Sequence, residues 1–288
     1  MPPPQEDLQT FRTHKPLWAD GEQTQEDGPG ATRLVPQQQQ QQQPSASRIS
    51  WPLTSFDNTI QNVACIAFLL GFLFAANIAS LLVLSNYSPA PCPWTRLNLY
   101  AIQLLLFHLL EFLTTAIFNP TRVTVDSFLL NNGASYWYAQ LFCVLEYLLR
   151  ARYVSPDHAF SIDYAIVRWV GIALSVGGQA VRTSAMITAA NSFNHRVSTH
   201  ASKQVDHSLV THGVYQLCRH PSYFGFFWWS IGIQLFLSNS FSLVFFAGVL
   251  WSFFNSRIQT EELHLIKFFG KDYLEYRATT PTLIPFIK

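Results

Sequence analysis

Two long runs without a formal charge constrain this chain more than anything else in it: residues 58–95 and residues 221–256. Within the first, residues 63–84 are almost wholly apolar. The hydrocarbon core of a bilayer takes about 20 helical residues, and this run supplies them. Charged residues make up only 12% of the chain, against 49% hydrophobic, whereas a soluble domain is about 25% charged. The solvent that this composition suits is lipid. A formal net charge of +1 gives no footprint for nucleic acid. Cys65, Cys92, Cys143 and Cys218 are far apart and form no CxxC pair, so they read as free thiols rather than a disulfide framework or a zinc site.

The expected fold is all-α: a polytopic membrane protein of about six transmembrane helices, with a C-terminal helical hairpin and a cytoplasmic cofactor-binding region. Residues 1–55 are polar, with a glutamine run from Gln37 to Gln43, and read as a disordered cytoplasmic tail. Residues 56–190 hold the N-terminal spans, and residues 191–288 the C-terminal region. After the first span, Pro89, Pro91 and Pro93 break the helix. Further spans are expected at about 97–118, 135–149 and 164–187. The second contains His108 and Glu111, neighbours on one helix face, and the third contains Glu146. Ionisable groups inside spans mark function or a polar tie between helices, and the tie is the favoured reading for both glutamates. His108 reads as a partner for Glu111. Gly177-Gly178 in the fourth span suits close helix packing.

The last uncharged run is interrupted at Leu237-Ser238-Asn239-Ser240 and reads as a hairpin with two slightly short arms. An interfacial amphipathic helix is expected from about 258 to 277. With six crossings, most Lys and Arg residues fall on the side of both termini, which the positive-inside tendency makes cytoplasmic. No apolar h-region follows Met1 and no cysteine stands near Lys288, so neither a secretory signal nor a prenylation motif is expected.

Reactive side chains concentrate between residues 191 and 223, and again just after the hairpin at Arg257, Glu261 and Glu262. A hairpin returns its two ends to one membrane face, so Arg219 and His220 are expected beside Arg257 and Glu261. The histidines lack HxxxH or HxxHH spacing, which disfavours a metal centre.

Arg219-His220-Pro221 followed by Glu261-Glu262 resembles the RHP…EE signature of membrane methyltransferases. The resemblance to the isoprenylcysteine carboxyl methyltransferase family is broader. It includes Ser192-Phe193-Asn194-His195, His207-Ser208-Leu209-Val210-Thr211, Gly213-Val214-Tyr215, Pro221-Ser222-Tyr223, Phe268-Phe269-Gly270, Tyr273-Leu274-Glu275-Tyr276 and Pro285-Phe286-Ile287. Upstream, Phe107-His108 with Glu111, Asn119-Pro120 and residues 126–131 fit as well. The similarity runs from about residue 60 onward and departs at residues 197–204, a short insertion where the family carries a glutamine.

That resemblance implies S-adenosyl-L-methionine as methyl donor and the C-terminal carboxylate of a prenylated cysteine as acceptor, in CaaX-processed proteins such as small GTPases. It implies an endoplasmic reticulum membrane location. It places the cofactor against His207, Ser208, Leu209, Val210, Tyr215, His220, Pro221, Ser222, Tyr223 and Glu261, and the substrate against Arg257. Independently, a planar guanidinium suits bidentate alignment of a carboxylate, so Arg219 and Arg257 are the candidate catalytic residues. Membrane lipid is an expected neighbour, nucleic acid and metal are not. Three other functions stand beside this one: a phospholipid N-methyltransferase, for which an arginine beside an amine is unhelpful; a sterol reductase, for which the chain has too few spans; and a transporter or scaffold, with Glu111 and Glu146 lining a path.

Overall fold

The structure, a computed structural model, describes residues 57–87, 93–153, 164–193 and 208–287. The expected tail over residues 1–55 falls outside these, as do Cys92, Asn194, His195, residues 197–204 and His207. Among the described residues every regular element is helical: α1 (Ile60–Tyr87), α2 (Pro93–Phe118), α3 (Ala134–Tyr153), α4 (Ala165–Ala189), α5 (Pro221–Leu237), α6 (Ser240–Phe269) and α7 (Lys271–Thr279), with short 3-10 turns between some of them. By length and composition α1, α2 and α6 can cross a membrane.

The tightest joint is between α4 and α5, which run antiparallel. A Cβ added at Gly178 would lie 2.5 Å from both Gly225 O and Trp229 N, and one at Gly225 would lie 2.5 Å from Gly178 O. Gly171 and Gly232 meet the opposite backbone in the same way farther along the seam. Lipid tails are as apolar as leucine, so helices in a bilayer associate by packing rather than by expelling water, and small residues permit the close approach. The Gly177-Gly178 pair therefore divides: Gly178 sits in the seam, while nothing lies within 4 Å of a Cβ at Gly177.

The expected polar ties are present. Glu111 on α2 forms a buried bidentate ion pair with Arg182 on α4, to its Nε and Nη2. Arg182 Nη1 donates to Ser222 O at 3.2 Å and Ser222 Oγ at 3.0 Å, at the start of α5. The guanidinium also lies 5.4 Å from the rings of Phe107 and Phe226. His108, one turn along the same helix from Glu111, directs its ring nitrogens elsewhere. Its Nδ1 is bonded to Phe128 O at 2.8 Å and its Nε2 to Tyr136 Oη at 3.1 Å. Neighbours at i, i+3 on one helix share a face, and each also takes a partner across the bundle.

Glu146 caps a helix end. Its carboxylate accepts from the Phe241 and Ser242 backbone amides at 2.8 and 2.6 Å and from Ser242 Oγ at 2.5 Å. These amides are among the unpaired donors of the first turn of α6, where a negative charge also complements the helix dipole. Arg150 Nη2 donates to Leu237 O at 3.0 Å and Asn239 Nδ2 to Cys143 O at 2.9 Å. The hairpin turn, with Ser238 in the left-handed region at φ 61°, is thereby pinned to α3.

The second arm of the hairpin corrects the sequence reading. It does not stop near Ser256 before a separate interfacial helix; α6 continues through Phe269, a single helix of 30 residues. No glycine or proline stands between Gly248 and Gly270 to end it. Gly270, at φ +59°, makes the break, and α7 follows as a helix of 9 residues.

Candidate functional site

The site assembles where the start of α5, the middle of α6 and the chain after α7 come together. His220 precedes α5, and Pro221 occupies its first turn, the one helical position where a missing N–H costs nothing. The same turn exposes Tyr223 to α6. The Tyr223 ring stacks on His220 at 5.7 Å and on Phe254 of α6 at 5.2 Å.

Tyr223 links the two residues expected after the hairpin. Arg257 Nε donates to Tyr223 Oη at 2.9 Å, and Tyr223 Oη donates to Glu261 Oε2 at 2.6 Å. The Arg257 guanidinium lies 5.6 Å from the Tyr223 ring and 5.9 Å from Phe253. A cation over an aromatic face gains on the order of 0.5–2 kcal/mol. Arg257 and Glu261 are four apart on one helix and therefore share a face. Both are only partly buried.

Glu262, one residue on, points about 100° away and has a different task. It is 4% exposed. Its Oε1 accepts from Arg219 Nε at 2.6 Å and from His220 Nε2 at 3.2 Å, and its Oε2 pairs with Arg277 Nε at 3.1 Å. The His220 contact requires the proton on Nε2. Arg219 Nη1 donates to Thr280 O at 2.7 Å, and the Arg219 backbone N–H donates to Pro281 O at 3.0 Å. Removing one partner of such a buried pair costs about 3–5 kcal/mol. Arg219 is thus joined to the chain after α7, while Arg257 stands on the partly exposed face with Tyr223.

The approach to α5 is also tied down. Gly213, at φ +60°, turns the chain against Thr188, which a Cβ would meet at 3.1 Å. Tyr276 Oη donates to Tyr215 O at 2.6 Å. Burial pushes the Tyr215 and Tyr276 hydroxyls above their ordinary range, so both remain neutral donors. Burial likewise pushes the Cys218 thiol up to about 11, and its Sγ meets Thr282 O at 3.0 Å.

Of the residues expected from sequence, Tyr223, His220, Arg257 and Glu261 form one contiguous group. Ser208, Leu209 and Val210 form an irregular strand of chain leading to Tyr215, with Leu209 and Val210 partly buried. Ser222 is buried and belongs to the Arg182 network rather than to the open face. Sequence reasoning named Glu262 beside Glu261 without separating their tasks, and it did not single out Arg277 or residues 280–282. The doubled glutamate was the available signal, since adjacent helical positions cannot face the same way. Among the described residues no three His, Cys, Asp or Glu side chains cluster to hold a metal ion.

A model of the isoprenylcysteine carboxyl methyltransferase (ICMT) family matches residues 170–267, which span the α4–α5 seam and the Tyr223–Arg257–Glu261 group. The protein-S-isoprenylcysteine O-methyltransferase of Saccharomyces cerevisiae is 49% identical over 193 residues, covering 66% of this chain and 80% of the relative. The Homo sapiens protein of the same name is 41% identical over 229 residues, covering 78% and 75%. A solved structure of the eukaryotic intramembrane Ras methyltransferase ICMT aligns with a TM-score of 0.65 at 34% identity, over 78% of this chain and 83% of the other. With this much of each relative matched, and the match running through the site, the chain belongs to the isoprenylcysteine carboxyl methyltransferase family.

Proposed function

We propose that this chain transfers a methyl group from S-adenosyl-L-methionine to the C-terminal carboxylate of a prenylated cysteine, forming a methyl ester on CaaX-processed proteins such as small GTPases. The observation that carries the reading is the Arg257–Tyr223–Glu261 hydrogen-bonded chain on a partly open face: a cation to receive an acid, and beside it an acid to receive hydroxyl or amino donors.

The residues present suit the donor. Glu261 uses Oε2 for Tyr223, and its Oε1 makes no hydrogen bond among the described residues, leaving an acceptor for a ribose hydroxyl or an amine. Ser208, Leu209, Val210 and Tyr215 would line the donor on the side of the loop, together with His207, and His220 to Tyr223 on the side of α5. When bound, S-adenosyl-L-methionine supplies an electrophilic methyl carbon on a sulfonium.

The acceptor carboxylate needs no general base. An α-carboxyl group ionises near pH 3.5 and is already the nucleophile at neutral pH. With the donor bound, one of its oxygens would take the methyl group as the carbon–sulfur bond breaks and the bonding pair returns to sulfur. What the chain must provide is alignment and the removal of water. Arg257 aligns the carboxylate, and its bond to Tyr223 keeps the guanidinium from collapsing fully onto the nucleophile. Arg219, held by Glu262 and Thr280, acts by positioning the His220–Tyr223 turn.

The same reading sets the chain in the endoplasmic reticulum membrane with about six spans, both termini and the methyl-transfer face cytoplasmic, and residues 191–288 as its catalytic region. A prenyl tail then reaches the site from the bilayer while its carboxylate stays at the aqueous edge. The test is label transfer from methyl-labelled S-adenosyl-L-methionine by the purified protein, with S-farnesylcysteine and an amine-bearing phospholipid offered side by side. Base-labile label on S-farnesylcysteine is expected; label on the phospholipid alone would overturn the acceptor.

A further inference from the structure

The stretch Tyr273-Leu274-Glu275-Tyr276 makes up the middle of α7, and the Arg257–Tyr223–Glu261 group makes no use of it. Tyr273 is buried, and its ring lies 6.1 Å from that of Tyr276. Tyr276 and the next residue reach different parts of the chain. Tyr276 Oη donates to Tyr215 O at 2.6 Å, whereas Arg277 Nε pairs with Glu262 Oε2 at 3.1 Å. Adjacent helical positions lie about 100° apart, so one side of α7 meets the loop before α5 and another meets α6.

The Tyr215 carbonyl is left over by its own turn. The N–H groups of Leu217 and Cys218 both donate to Val214 O, at 3.3 Å each. A half-buried carbonyl without a partner costs free energy, and among the described residues the Tyr276 hydroxyl is what meets it. On the other side the same stretch leans on α4: Tyr215 Oη approaches Ala185 O at 3.5 Å, and Gly213 turns against Thr188. Residues 213–216 are thus held between α4 and α7, and Tyr276 is the hold from α7. Burial, and after it the charge of the Glu261 carboxylate, push the Tyr215 hydroxyl above its ordinary range. Tyr215 therefore stands within electrostatic reach of Glu261.

We infer that Tyr276 is a positioning residue for the methyl donor, acting through its hydrogen bond to the Tyr215 carbonyl. This rests on the reading that residues 208–210 and Tyr215 line S-adenosyl-L-methionine. The test is equilibrium binding of S-adenosyl-L-methionine to the full chain in nanodiscs, with no acceptor present. Tyr276→Phe keeps the ring and removes the hydroxyl. It is expected to weaken donor binding by about 3- to 10-fold, the span that one net hydrogen bond covers. The KM for the donor should rise by a similar factor, while the KM for S-farnesylcysteine and the melting midpoint stay at the parent values. Hydrogen exchange should quicken at residues 208–217 and not at residues 254–262. A tyrosine that merely packs α7 would, when altered, also release Arg277 from Glu262 and move both KM values together. That result, or unchanged donor binding, would overturn the inference. Leu209→Ala tells this failure from failure of the reading beneath it. If Leu209→Ala weakens donor binding and Tyr276→Phe does not, the loop holds the donor and Tyr276 does not place it. If neither weakens it, the donor lies elsewhere and both fall.

Discussion

Along α5, one face sets Gly225 and Gly232 directly on the backbone of α4, and the other sets Tyr223 and Phe227 among the aromatic and aliphatic side chains of α6. The first face has no side chains to spare and no room for any. The second is made of side chains, several of them polar at the end nearest the site. A reaction that needs alignment more than acid–base chemistry gains from this division. The glycine seam holds α5 at a fixed height and rotation, and the variable face then presents Tyr223, with Arg257 and Glu261 attached, from a support that does not shift.

The sharpest way to break this contrast is Gly178→Val. Branched carbons would be forced into the backbone of α5, and loss of the folded, monodisperse protein on size exclusion is expected. Glu111→Ala comes next. It strands Arg182 inside the bundle, an error worth about 3–5 kcal/mol, read as a lower thermal-aggregation midpoint. Because Arg182 also holds Ser222, activity should fall with stability. Arg257→Ala should separate the two. Its loss of kcat/KM should correspond to about 2–5 kcal/mol of charge-pair energy, while the melting midpoint stays near that of the parent. If Arg257→Ala instead unfolds the chain as Gly178→Val does, the two faces of α5 are not distinct in kind. The smallest effect is expected at Gly177→Ala, which meets nothing. It should be neutral or stabilising by up to about 1 kcal/mol, the helix propensity of alanine over glycine.

These neighbouring glycines also show what was legible beforehand. A glycine pair in an apolar helix signals close packing, but which of the two lies in the contact depends on the rotation of α4, set by its partners. The ion pair followed the same pattern. Glu111 inside a span announced a tie, but its partner Arg182 is 71 positions away, a separation at which local periodicity carries no information. Arg219 and Arg257 both stand at the edge of an apolar helix and both read as catalytic candidates, with the substrate set against Arg257 alone by resemblance. They part because Arg219 lies beside the returning chain at Thr280 and Pro281, and Arg257 lies on the α6 face that meets Tyr223. The motif residues were readable; the hold of Glu262, Thr280 and Pro281 on Arg219 was not, because it depends on long-range strapping.

That strapping has a consequence for truncation. Arg219 donates to Thr280 and Pro281, Cys218 to Thr282, and Trp251 Nε1 to Pro285 O at 2.9 Å. A chain shortened to end before Thr280 would keep all seven described helices yet leave the Arg219 guanidinium without its carbonyl partner and the entry to α5 unfastened.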